Sequence, residues 1–335
     1  MPGLLFGYDQ GVVSVILTEK QFLSRFERVD GGAAGFWKGF LTAVLQLGAL
    51  LGALNQGWIA DKYSRKYSIV FAVIVFVVGS ILQTAAVDYA MLTVGRLIGG
   101  IGIGMLSMVA PLYISEISPP EIRGALLVLE ELSIVSGIVI AFWITYGTRY
   151  INNEWAWRLP FLLQILPGLF LGAGISFLPF SPRWLVSKGR DDEALAALSR
   201  LRRLPSDDTR VKLEWFDIRA EVAFHKENSA VKHPKLQGSD RASQIKLEVS
   251  SWADCFKHGC WRRTHVGVMM MFFQQVRFLA CSSYSLALQR TTSRDELFSD
   301  TCGFGSVYFA SQVAGESISY MTMPSLTLNC SVGRN

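Results

Sequence analysis

Five long apolar runs dominate the first half of the chain, at about 39–60, 68–87, 91–114, 125–147 and 159–178. Each is close to the ~20 residues a helix needs to cross the hydrocarbon layer, so each predicts a spanning α-helix. A sixth run, 2–17, is only about 16 residues long and carries Asp9 near its middle. With no basic leader and an acid mid-run it does not read as a signal peptide; it reads as a clipped first span. Short polar turns join the runs, with one exception. Residues 183–264 are rich in Arg, Lys, Asp and Glu and hold a helix-forming stretch at 191–203. Past that loop an apolar run begins at 265, but Arg277 and a Ser/Thr-rich stretch with Arg290, Arg294, Asp295 and Glu296 follow before a seventh span is complete. The pattern predicts an all-α membrane protein.

Composition agrees. Only 18% of the residues are charged, against about 25% in a typical soluble domain, and half are hydrophobic; the mean hydropathy is +0.31. The net charge of +5 is concentrated in the long loop. No basic stripe with interleaved aromatics accompanies it, so a nucleic-acid partner is not expected. Basic loops stay on the cytoplasmic side, which puts the N-terminus in the cytoplasm. All five cysteines follow residue 254, an odd number that argues against a disulfide framework. Cys255, His258, Cys260 and His265 lie close together, but at no zinc spacing. Neither metal nor cofactor is expected. With no nucleophile–base set or phosphate-cradling loop, the chain is not expected to be an enzyme.

Charge inside a span costs about 2.5–3.5 kcal/mol on insertion scales, so the few such residues are functional candidates. They are Asp9, Arg96, Glu130 and Glu131. An acid and a base on neighbouring helices neutralise each other, and protonating the acid releases the base; that is a proton switch in outline. The plainer alternatives are an interfacial Asp9 and an Arg96 that snorkels to the surface. Two loop motifs add charge at helix ends: Gly57-Trp58-Ile59-Ala60-Asp61-Lys62-Tyr63-Ser64-Arg65-Lys66, and 111–124, which includes Glu116 and Arg123. Exposed pairs there are worth about 0–1 kcal/mol each, enough to bias two nearly equal states; a solvated basic turn is the bland reading. Glycines recur four apart at 48 and 52, 95 and 99, 100 and 104, and 168 and 172, a spacing that lets helices approach closely in lipid.

Gly7-Tyr8-Asp9-Gln10-Gly11, the Asp61–Lys66 turn, Gly95-Arg96, Pro111-x-Tyr113-x-Ser115-Glu116-Ile117 with Arg123-Gly124, Ser181-Pro182-Arg183-Trp184-Leu185 and Phe272-Phe273-Gln274-Gln275 stand in one order along the chain. Together they resemble the sugar porter family of the major facilitator superfamily, in wording nearest to fungal monosaccharide and polyol porters. The resemblance implies twelve helices in two halves, with sugar bound at mid-membrane between them. This chain would supply the N-terminal six-helix bundle (1–182), the cytoplasmic central loop (183–264) and the start of a seventh helix (265–275). It further implies proton coupling at Asp9 with Arg96, sugar contacts from Glu131, Gln274 and Gln275, and a cytoplasmic gating network of Asp61, Arg65, Glu116, Arg123 and Arg183. The implied partners are a sugar and a proton in the lipid bilayer, with the plasma membrane as location.

Departures qualify this. Glu131 stands where the family has Gln, Ser64 where it has Gly, and Phe180 where it has Glu. After Gln275 the family wording stops, so 276–335 is expected to be a disordered non-family tail, the product of a retained intron or a frame change near codon 276. The start, too, falls inside the family's first helix. A chain cut at both ends could instead serve as a non-transporting sugar sensor or regulatory membrane protein.

Overall fold

The computed structural model describes residues 2–29, 34–232, 250, 261–262, 264–269 and 272–273. Every regular element there is helical: α1 (Pro2–Ile16), α2 (Lys20–Arg25), a 3-10 turn (Glu27–Val29), α3 (Ala34–Tyr63), α4 (Arg65–Thr84), α5 (Tyr89–Ile117), α6 (Arg123–Thr148), α7 (Trp155–Leu163), α8 (Ile165–Phe177), α9 (Pro182–Ser187), α10 (Asp191–Arg202) and α11 (Thr209–Lys232). Among the described residues five segments are long and apolar enough to cross a membrane: α3, α4, α5, α6 and the α7–α8 pair. α1, at 15 residues, is shorter than a span requires. The helices run several residues beyond the apolar runs, because a helix continues into its polar ends. The last span is divided at Gln164. Pro167 lacks the N–H that would bond back to Leu163, and such a missing bond breaks a helix ladder.

α5 is the axis of the bundle. Its most apolar window is 61% buried, against 11% for α6, and it packs along α3 on one side and α4 on the other. α1 lies along α6. Backbones touch at the α3–α5 seam: a Cβ added at Gly48 would stand 2.3 Å from Leu97 O, and one at Gly52 2.2 Å from Ile101 O. From the other side, Gly100 and Gly104 would meet Leu45 O at 2.3 Å and Ala49 O at 2.0 Å. The Gly168 and Gly172 pair, at the same spacing, meets only side-chain carbons at 3.4 Å or more.

At one end of the bundle, called the loop end below, α9, α10 and α11 enclose a small core of Trp184, Leu185, Ala194, Leu198, Val211 and Ile218. The expected helix at 191–203 is present as α10. Three acids in its first turn and Arg200 and Arg202 in its last suit the helix dipole.

Ser64, in the turn between α3 and α4, takes φ 105° and ψ 152°, a region occupied almost only by glycine and costing about 1–3 kcal/mol for other residues. Its hydroxyl partly offsets this by accepting from Tyr67 N at 3.3 Å as the N-cap of α4. Replacing an N-cap Ser by Gly loses only a few tenths of a kcal/mol. Ser64→Gly is therefore expected to stabilise the purified chain by about 1 kcal/mol after the added unfolded-state entropy of glycine. Thermal unfolding in detergent tests this; an unchanged or lower midpoint contradicts the strain.

Candidate functional site

The acid of α1 and the base of α5 meet. Asp9 on α1 and Arg96 on α5 are both fully buried, with Arg96 Nη1 donating to Asp9 Oδ2 at 3.3 Å. Arg96 does not snorkel: it lies about two turns into a 29-residue helix whose neighbours enclose it. Around the pair the bundle is aromatic and polar. The Phe161 ring centroid lies 5.8 Å from Arg96 Cζ, and the Tyr8 hydroxyl donates to Pro160 O at 3.2 Å, tying α1 to α7. Among the described residues Asp9 Oδ1 and Arg96 Nε and Nη2 have no hydrogen-bond partner. One contact thus joins two charges whose remaining polar atoms are unmatched, a pair held by Coulomb attraction more than by a satisfied network.

At the loop end Arg65 joins two of the expected gating residues. Its Nη1 lies 2.9 Å from Asp61 Oδ1 and its Nη2 3.1 Å from Glu116 Oε1. Glu116 is buried on α5, and Asp61 is exposed; the three residues therefore clamp the ends of α3, α4 and α5. The other two do not join them. Arg183 pairs with Glu221 of α11, and Arg123 has a buried Nε with no hydrogen-bond partner among the described residues. Sequence reasoning missed Arg202, whose guanidinium grips Glu214 of α11 (Nε to Oε2, 2.8 Å) and donates to Ile117 O at 3.1 Å. The Glu214 contacts hold the Arg202 group above its ordinary pKa. It fastens the loop helices to the end of α5. A basic residue twelve positions before an acid in a charged loop gave no signal of that contact.

Glu131 lies on the exposed side of α6, while Glu130 is half-buried. Gln274 and Gln275 lie outside the described residues, as do 276–335, Cys255, His258 and Cys260. His265 stacks on Trp261 at 5.0 Å.

At the opposite end Glu19, in the α1–α2 link, is 3% exposed, and neither carboxylate oxygen is hydrogen-bonded among the described residues. Burial pushes its pKa up to about 7, with the charge of Arg149 pulling the other way. A raised carboxyl means that the folded chain holds this proton more tightly than the unfolded one. Stability is therefore full below the unfolded value, near 4.5, and falls as pH rises to about 7. Between pH 5 and 8 the unfolding midpoint is expected to drop, by an amount on the order of 1–3 kcal/mol of stability. Glu19→Gln is expected to flatten that slope; a slope unchanged in the variant assigns the titration elsewhere.

The family model described as sugar (and other) transporter matches residues 1–333, running past the last quoted motif at 275. The chain is 36% identical to the MFS-type transporter criB of Aspergillus cristatus over 261 residues, which is 78% of this chain and 51% of that protein. It is 34% identical to a high-affinity glucose transporter of Kluyveromyces lactis over 275 residues, 82% of this chain and 46% of the relative. It is 30% identical to the low-affinity glucose transporter HXT3 of Saccharomyces cerevisiae, again over 82% and 46%. The chain spans about half the length of these relatives. Among solved structures, the proton:xylose symporter XylE bound to 6-bromo-6-deoxy-D-glucose superposes with a TM-score of 0.65 over 99% of this chain and 85% of that one, at 19% identity. A partially occluded inward-open XylE from E. coli gives 0.65 at 21% identity, covering 98% and 85%. At such identities the likeness is one of fold.

Proposed function

The chain belongs to the sugar (and other) transporter family, and from that premise we propose that it acts in secondary active transport of a monosaccharide or polyol by alternating access, coupled to protons. In this reading residues 1–182 form the N-terminal six-helix half, with α1 as the first, shorter helix, 183–264 the cytoplasmic loop, and 265–275 the start of a seventh helix. The loop end faces the cytoplasm, and the membrane is the plasma membrane. The relatives' printed names support a hexose-like substrate.

The observation that carries the reading is the fully buried Asp9–Arg96 pair. A carboxylate held only by a guanidinium, away from water, sits between two states. Ionised, it is paired across α1 and α5; neutral, it releases Arg96 and loosens that contact. Proton arrival on one side and departure on the other would then rock α1 against α5. Glu131, exposed on α6, would accept hydrogen bonds from the hydroxyls of a sugar bound between the two halves.

The test is uptake of labelled hexose and xylose in cells without hexose carriers. Asp9→Asn is expected to abolish accumulation against a gradient yet leave exchange of sugar measurable, while Glu131→Gln is expected to shift affinity more than coupling. Accumulation by Asp9→Asn together with its loss in Glu131→Gln moves the proton site to α6 and refutes the assignment. Sugar binding without uptake by the unsubstituted chain favours a sensor.

A further inference from the structure

Phe180, the position where the family pattern has an acid, lies in the link between α8 and α9, and a cation sits beside it. Lys66 Nζ donates to Ser176 O at 2.7 Å and to Leu178 O at 2.9 Å, at the C-terminal end of α8. It also lies 5.3 Å from the Phe180 ring centroid. Among the described residues no carboxylate comes within salt-bridge distance of it. An ammonium has three N–H donors; two are committed to carbonyls, and the ring face takes up the remaining side. The ring is itself fixed. It stacks on Trp184 at 6.0 Å with 26° between planes and meets Tyr67 edge-on at 5.5 Å. The Trp184 indole in turn donates to Asp61 O at 3.1 Å. One contiguous cluster therefore ties α3, α4, α8 and α9 together beside the Arg65–Glu116 pair.

We propose that Lys66 and Phe180 form a cation–aromatic clamp that holds the loop ends of α4 and α8 together, in place of the ion pair an acid at position 180 would make. The physics of the two devices differs. An ion pair at a half-exposed surface weakens as salt shortens the screening length. The helix-dipole part of the Lys66 attraction is screened in the same way, but two direct hydrogen bonds to carbonyls at 2.7 and 2.9 Å and the contact with a ring face are made to neutral partners and lose less to salt than a pair of full charges does. The clamp makes closure of this end less sensitive to ionic strength than an ion pair would, and it stands whatever solute the bundle carries.

Thermal unfolding of the purified full chain in detergent tests it at roughly 0.1 M and 1 M salt, where screening lengths are about 10 and 3 Å. Phe180→Leu and Lys66→Met are each expected to lower the midpoint by roughly 2–4 °C, and the double variant by no more than the larger single effect. That coupling is expected to persist at the higher salt. Phe180→Tyr keeps a ring and is expected to match the unsubstituted chain at both salts, which provides a folded comparison should Phe180→Leu fail to fold. Phe180→Glu is expected to be stable at low salt only. Additive single effects, a coupling lost at about 1 M salt, or a Phe180→Leu chain as stable as the parent would each overturn the clamp.

Discussion

Asp9→Leu is expected to destabilise the bundle more than replacing Asp9 and Arg96 together. The single substitution leaves Arg96, which has no exposed surface, charged and without its ion-pair partner. Its Nε and Nη2 already lack hydrogen bonds. Breaking one side of a buried pair costs about 3–5 kcal/mol, whereas replacing both sides with apolar groups of similar size is often close to neutral. Asp9→Leu combined with Arg96→Met is therefore expected to recover most of the loss, giving a coupling of roughly 2–3 kcal/mol in a double-mutant cycle. The measurement is the unfolding midpoint of the purified chain in one detergent for the parent, both singles and the double. A single substitution costing under about 1 kcal/mol, the size of an exposed pair, would mean that Arg96 finds water or another partner when Asp9 is neutral. The idea of Asp9 as the element that locks α1 to α5 would then fail.

The second large effect is expected at the α3–α5 seam. A methyl group at Gly104 would lie 2.0 Å from Ala49 O and 2.5 Å from its carbonyl carbon, and a backbone atom cannot rotate away as a side chain can. The two helices would have to part by more than an ångström along a contact that also includes Gly48, Gly52 and Gly100. Close backbone approach is what holds helices together in lipid, where apolar surface gains nothing by leaving an apolar solvent. Gly104→Ala is expected to cost about 3–5 kcal/mol, in the range reserved for broken cores, and Gly104→Leu to give no monodisperse protein. Gly147 in α6 and Gly174 in α8 have open space around their would-be Cβ atoms; alanine there is expected to be neutral or to gain up to about 1 kcal/mol of helix propensity. If Gly104→Ala and Gly147→Ala unfold at the same temperature, the seam does not hold the bundle.

The spans were readable because the bilayer imposes one rule on any helix that crosses it: a length of apolar residues, wherever its partners are. Asp9 and Arg96 stood out for the same reason, since ionised groups in such runs are too costly to be incidental. Their pairing is a different matter. Periodicity alone left each of them an ordinary alternative at the interface, and only the packing of α1 and α5 brings their atoms to 3.3 Å. The residues expected to form a gating network divided similarly: Asp61, Arg65 and Glu116 meet, while Arg183 turns to Glu221 and Arg202 takes up Ile117 and Glu214.

By itself the sequence determined how many apolar segments there are, which residues carry charge into them, and where the family pattern is broken, because hydropathy and charge are local properties of each residue. Only the tertiary structure decided what those residues touch. Gly48 and Gly52 have the same spacing as Gly168 and Gly172, yet a partner backbone crosses one pair and not the other. Ser64 and Phe180 were both visible as departures, but one proves to be strained by a positive φ and the other to face an ammonium group. Those outcomes depend on the path of the backbone and on groups 49 to 114 residues away in sequence. No window along the chain contains that information, because it arises when distant helices choose a common face on which to pack.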